Sequence, residues 1–357
     1  MYSWVLLVPG CQSKFIMKAA WIEQFGGTEV INVSSYPEPV RKTDEVLVKM
    51  LAATLNHHDI YLRRGEAGRC ALPVVLGSDG VGVVVDADPS SSYRVGQYVV
   101  IYPVLACGSC INCKNQLPHK CISFGMIGGE RNGTHAEYVV IPEKCLVLLP
   151  QDLNPHVAAS ISLAGLTAWN MVVDEGIAQS GEQALVFGAS GGVGVFVVFL
   201  LKRLGVTVHA VTSSPAKRDA LYSLGVDHVL DDQAAAVLRH TAQLPNRGVD
   251  LAFNCVGGST WRYTLPAVRS GGRILVCGTV RSPIAEIDLR QIFYRNISLI
   301  GCTMGTPTAL SQILSIAATD SKFHVPIDTT VSLDEIVRQH DRMEAASLVG
   351  KIIIQMA

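Results

Sequence analysis

The sequence predicts an α/β protein in which a barrel-like β domain comes first and a doubly wound parallel sheet follows. Three observations predict it. From Met17 to about Pro150 the chain consists of short β-type runs broken by turn residues; after His156 strands and helices alternate; and that alternation begins where ALVF runs through GASGGVG into an apolar helix. Alternation of strand and helix is the mark of a parallel sheet covered on both faces.

The β runs are VLVKMLAATL, GVGVVVDA, QYVVIYPV, AEYVVIP and CLVLLP. The second texture supplies strand ALVFG, a helix over Val193–Leu204, strand TVHAVT, a helix near Ala216–Leu224, and strands DLAFNCVG and RILVCG. The tail carries a helix around Leu333–Ala346 and ends in GKIIIQMA, a strand able to return to the β domain and make that domain discontinuous. The expected division is therefore 17–164 with 301–357 for the β domain and 165–300 for the parallel sheet. A chain of 357 residues exceeds what one core usually serves, in keeping with two domains.

Hydrophobic residues make up 49% and charged residues 17%, enough for packed cores. The net charge of -1, without blocks of like charge, argues against nucleic-acid and membrane-surface partners. Apolar runs such as Val193–Leu201 fall far short of the roughly 20 residues that span a bilayer. Residues 1–16 read as an extension ahead of Met17, lacking the basic start and small-residue cleavage site of a signal peptide. Of ten cysteines, four fall within fifteen residues and the rest scatter through apolar sequence, so metal binding in a reducing cytoplasm is expected over a disulfide framework.

Gly188, Ala189, Ser190, Gly191, Gly192, Val193 and Gly194 form a glycine-rich turn between strand and helix. In that context glycines permit close backbone approach, and the free N–H groups and positive end of the helix dipole attract a pyrophosphate, so a dinucleotide is the expected ligand. About twenty residues on, where an acidic side chain would hold the ribose diol of NAD(H), the strand ends in Thr212, Ser213 and Ser214. These hydroxyls with Lys217 and Arg218 suit the 2′-phosphate of NADP(H), which is preferred over NAD(H); the competing reading makes Lys217 and Arg218 solvated residues of a first helical turn.

Cys107, Cys110, Cys113 and Cys121 give C-x2-C-x2-C-x7-C, a donor set for one closed, structural zinc per chain. An iron–sulfur cluster and disulfides are the alternatives, but the usual iron–sulfur continuation, a fourth Cys after three residues followed by Pro, is missing.

With LNHHDIYLRRG, LPVVLGSDGVGVV, SLAGLTAW, GVDLAFNCVGG and GKIII added, the chain from Met17 on resembles the zinc-type medium-chain dehydrogenase/reductase superfamily, and within it most closely the quinone oxidoreductases. The resemblance implies a GroES-like β-barrel catalytic domain, a Rossmann domain and a homodimer or homotetramer paired through NISLIGCT. The superfamily's alcohol dehydrogenases hold a second, catalytic zinc; at the matching positions this sequence has Asn56, Ser78 and Leu163, which are poor zinc ligands. Without that Lewis acid the expected reaction is hydride transfer to a small electrophile, a quinone or an α,β-unsaturated carbonyl. The alternatives are an alcohol or aldehyde dehydrogenase using an atypical metal near His57, His58 and Asp79, and an NADPH-binding protein without turnover.

By the same resemblance Tyr61 lines the substrate pocket, Thr167 contacts the nicotinamide and Lys351 lies near the pyrophosphate. Tyr61 is a candidate donor to a developing oxyanion, His57 and His58 are candidate proton relays because an ordinary imidazole titrates near neutral pH, and Asn56 is a candidate for positioning a carbonyl. Packing at a strand end, a turn cap, and structural use are the respective plain readings.

Overall fold

A computed structural model describes residues 16–356; the expectation for residues 1–15 lies outside it. Six parallel strands form one sheet in the order His228–Asp231, Thr207–Thr212, Gln183–Phe187, Val249–Asn254, Val268–Val276, Ser298–Gly301. Numbered along the chain this is 3-2-1-4-5-6, the Rossmann order, and the order reverses between Gln183–Phe187 and Val249–Asn254. A crevice opens beyond the carboxyl ends of those two strands, which are continued by Gly188 and Cys255.

The other large sheet is built on Glu45–Thr54, which pairs antiparallel with Gly80–Asp86, Tyr138–Pro142 and Lys351–Gln355. Tyr98–Ile101, Leu146–Leu148 and Ile327–Ser332 extend it. The last strand, Lys351–Gln355, thus returns to the β domain beside residues 52–54. Alternation in Glu45–Thr54 sends Val46, Val48 and Met50 into the core while the intervening side chains are half-buried.

One helix was hidden by the pattern of short strands. Asn56 begins a helix over His57–Arg63, in which the Asp59 carboxylate accepts the Asn56 backbone N–H at 2.8 Å, one half of a capping box. The expected tail helix is shorter than 333–346 and covers Ile336–Glu344, after a 3₁₀ turn at Leu333–Glu335.

The run Pro155–Asp174 is a continuous helix of 20 residues, long and apolar enough to cross a membrane by length and composition, which Val193–Leu201 as the longest apolar run did not suggest. Its most apolar window is 78% buried inside the protein, and Ala158, Ile161, Ala168 and Met171 have no exposed surface, so its apolar character serves the core shared with helix Gly192–Arg203. Two π turns, Ile161–Gly165 and Asn170–Asp174, interrupt it around Leu163 and Thr167, where such turns re-aim side chains.

Gly350 joins the two domains. It sits at φ +82°, donates its N–H to the Ser190 carbonyl in the glycine-rich turn at 2.8 Å, and a Cβ there would stand 2.0 Å from the Pro326 carbonyl oxygen. Gly350→Ala is expected to cost about 2–3 kcal/mol of stability and to lower the guanidinium unfolding midpoint; an unchanged midpoint would contradict this reading of the junction.

Candidate active site

A cleft of about 580 Å³ separates the glycine-rich turn from helix His57–Arg63. On the nucleotide side it is lined by Gly188, Ser190, Gly191, Gly192, Val193 and Gly194, while Ala189 is fully buried behind the turn. Gly188 takes φ +71° and accepts the Gly191 N–H at 2.9 Å, turning the chain into helix Gly192–Arg203. A Cβ on Gly194 would come 2.1 Å from the Gly188 carbonyl oxygen, so the turn closes only around glycine. This 12-residue helix begins at the cleft, and the free N–H groups and positive dipole end of its first turn suit a pyrophosphate.

Thr212, Ser213, Ser214 and Lys217 also line the cleft. The Ser214 N–H donates to Thr212 Oγ1 at 3.2 Å, fixing the turn, and Lys217 donates to the Ala346 carbonyl at 2.7 Å. Arg218 does not join them: its guanidinium donates to the Val229 carbonyl at 3.1 Å and pairs with Asp231, outside the lining. The arginine that does stand on the cleft wall is Arg281, paired with the half-enclosed Asp232 at 2.7 Å. Neither residue was singled out by sequence, because each comes from a loop with no motif of its own. Thr167 lies on the floor, its hydroxyl donating to the Leu163 carbonyl at 2.8 Å and lying 3.9 Å from the Met304 sulfur.

The facing wall is built around a buried lysine. Lys351 Nζ donates to Asn56 Oδ1 at 2.5 Å and to the Leu55 carbonyl at 3.2 Å. Asn56 Nδ2 in turn donates to Asp79 Oδ2 at 2.9 Å, and the same carboxylate accepts the Thr54 N–H and hydroxyl at 3.1 and 2.8 Å. Burial pushes Asp79 and Asp59 up and Lys351 down from their ordinary values, and the mutual attraction of the lysine and the carboxylates opposes both shifts. The Lys351 stem passes beside the glycine turn, 3.1 Å from where a Cβ on Gly192 would stand, but its ammonium hydrogen-bonds into the β domain. The residue thus stands beside the glycine turn, while its charge is satisfied by Asn56 and Leu55.

His57, His58 and Tyr61 follow along the helix and line the cleft. Burial, then the positive charge of Lys351, pushes the His57 imidazole down to about 4, and burial lowers His58 as well. Both rings are neutral at pH 7, so the expectation of imidazoles titrating near neutrality gives way to neutral rings that offer an N–H or a lone pair. Among the described residues the buried Tyr61 hydroxyl and His58 Nε2 have no hydrogen-bond partner, two unspent polar atoms in the cleft wall. Of the other residues at the superfamily's catalytic-zinc positions, Leu163 lines the cleft and Ser78 is buried with an unpartnered hydroxyl.

In a separate lobe the sulfurs of Cys107, Cys110, Cys113 and Cys121 approach to 3.5–3.9 Å. A tetrahedron with Zn–S bonds of about 2.3 Å separates its sulfurs by about 3.8 Å, so the donor set fits a tetrathiolate ion. The Cys107 and Ser123 N–H groups donate to the Cys121 sulfur at 3.3 Å, and the Cys110 N–H to the Cys107 sulfur at 3.4 Å, an arrangement that favours thiolates.

Residues 42–151 match the family model of the alcohol dehydrogenase GroES-like domain and residues 192–319 that of the zinc-binding dehydrogenases. A crystal structure of an NAD-dependent alcohol dehydrogenase, 32% identical, superimposes with a TM-score of 0.89 over 96% of this chain and 100% of that one. The chain belongs to the zinc-type medium-chain dehydrogenase/reductase superfamily. It is an oxidoreductase of that superfamily. Among characterised members, an alcohol dehydrogenase of Geobacillus stearothermophilus is 28% identical over 95% of this chain and 99% of its own. The quinone oxidoreductase of Mus musculus is 26% identical over 82% of each.

The glycine cradle yields a direct test. Gly194→Ala is expected to weaken nicotinamide-nucleotide binding at least tenfold in a fluorescence titration, because the turn must open to admit the methyl group; native affinity in that variant would remove the turn from the binding site.

Proposed function

We propose that this medium-chain reductase uses NADP(H) to reduce a quinone or an α,β-unsaturated carbonyl, with one structural zinc in the cysteine lobe and no catalytic zinc. The observation that carries the reading is the Asn56 side chain, whose amide is engaged on both sides, by Lys351 and by Asp79, at a position where the superfamily's alcohol dehydrogenases use a metal ligand.

The turn Gly188–Gly194 would hold the pyrophosphate, and Thr212, Ser213, Ser214 and Lys217 the 2′-phosphate. The bound nicotinamide supplies a hydride. Thr167, on the cleft floor, orients the ring's neighbourhood, and the apolar side chains of Leu163 and Met126 exclude water from the acceptor. Addition to the electron-poor carbon leaves negative charge on the acceptor's oxygen, which the Tyr61 hydroxyl stabilises by donating a hydrogen bond. The buried charge of Lys351 supports that wall electrostatically. His57 and His58, neutral, orient the acceptor by hydrogen bonds.

The cysteine tetrad would keep its lobe rigid, holding zinc with all four positions taken and none left for substrate. Among partners we expect the small electrophile and a second copy of the chain, without nucleic acid or membrane, in the cytoplasm. Ser298–Gly301 is the outer strand of the parallel sheet and leaves Leu299 46% exposed, which favours edge-to-edge pairing of two copies. Light scattering should give the mass of a dimer or tetramer; a monomer at micromolar concentration would refute this pairing.

Turnover should be measured as NADPH and NADH consumption with 9,10-phenanthrenequinone and cyclohexenone, and as alcohol oxidation in reverse. We expect NADPH to be preferred roughly tenfold, Lys217→Ala to abolish that preference, and Tyr61→Phe to lower kcat roughly 10- to 100-fold with little change in KM. Alcohol oxidation that stops on chelation would point to an atypical catalytic metal instead, and nucleotide binding without turnover of any acceptor to a non-catalytic role.

A further inference from the structure

Outside the cleft, the parallel sheet carries a group of side chains that hydride transfer does not use. His209 in strand Thr207–Thr212 and His228 in strand His228–Asp231 are directly paired across the ladder, so they leave the same face of the sheet. Their rings stack at 4.8 Å with 7° between planes. His240, in the last turn of helix Ala234–Thr241, closes the third side at 4.8 Å from the His209 ring and 5.1 Å from the His228 ring.

We propose that His209, His228 and His240 form a second metal site, for a divalent transition-metal ion of the zinc, nickel and copper class. One nitrogen from each ring lies within 4.8 Å of the others. Three imidazoles on a tetrahedral ion, with bonds of about 2.0–2.1 Å, stand about 3.4 Å apart, so small ring rotations complete the site and leave a fourth position for water.

Gln183 supplies the outer support that a histidine ligand requires. His209 Nε2 donates to Gln183 Oε1 at 2.8 Å, which leaves Nδ1 unprotonated and facing His240 Nε2 at 2.9 Å. In the metal-free arrangement the His240 Nε2–H donates to that lone pair; on metal binding this proton would move to His240 Nδ1 by tautomer exchange through solvent, leaving both facing nitrogens free for the ion. Burial and the neighbouring imidazoles hold His209 down to about 3 and lower His240, so both are neutral and free to bind at pH 7. His228 is exposed and gives the ion a path in from solvent. Asp227, paired with Lys202 at 2.6 Å, adds negative charge beside His209. A bound ion would pin the outermost strand to its neighbour and to helix Ala234–Thr241, behind the strand that ends in the Thr212–Ser214 turn.

The test is calorimetric titration of untagged, zinc-loaded, full-length protein with Zn²⁺. Wild type should take up one further equivalent and His228→Ala/His240→Ala none, while Gln183→Leu should bind roughly 10- to 100-fold more weakly. Saturating Zn²⁺ should raise the wild-type unfolding temperature by about 3 °C or more and leave the double variant unchanged. Retained NADPH binding by the double variant establishes that it is folded. Equal uptake, or an equal thermal shift, in wild type and double variant would overturn the proposal.

Discussion

The Lys351 side chain is almost wholly buried, at 2% exposure, and much of the surrounding architecture satisfies its charge. Its two hydrogen-bond acceptors, Asn56 Oδ1 and the Leu55 carbonyl, lie at the turn between strand Glu45–Thr54 and helix His57–Arg63, while its stem lies against Gly192. Leaving a buried cation unpaired is strongly destabilising, so the last strand, helix His57–Arg63 and the glycine turn are held in one arrangement. The preceding residue, Gly350, reinforces the same junction through Ser190. The cleft between the domains is thus defined from the β side by a single charged residue near the end of the chain.

That lysine also sets the electrostatics of the wall. Its charge adds to burial in lowering His57, and Asn56, spanning from Lys351 to Asp79, is committed to a network of protein groups. In water two such charges would attract weakly, but inside the protein the attraction is several times larger and fixes the geometry of the residues between them. Among the described residues the buried Tyr61 hydroxyl and one nitrogen of His58 have no hydrogen-bond partner in this wall, which suits them to an oxygen that gains charge during reduction.

Much of this was legible in the sequence where a local pattern carries the physics. The strand, glycine turn and helix around Gly188–Gly194 were readable because Gly188 and Gly194 are demanded by the turn itself, and the cysteine lobe because ligand spacing is a local property. The Asn56–Asp59 spacing was a readable helix start that the surrounding β texture concealed. The Lys351–Asn56 pair spans 295 residues, and no periodicity or composition connects its members. The same holds for the Asp232–Arg281 pair in the cleft and for the turning of Arg218 toward Asp231. The histidine cluster depends on strand register, which only the folded sheet defines.

Zinc-free reduction requires that the Asn56 wall work through protein groups alone. Anomalous diffraction at the zinc edge, from crystals of the holoenzyme with bound NADP(H), addresses this directly because it locates each zinc. The predicted map has a peak among Cys107, Cys110, Cys113 and Cys121 and no peak within bonding distance of Asn56, His57, His58 or Asp79. A zinc peak beside those four residues would contradict the account and return the chain to metal-assisted alcohol chemistry.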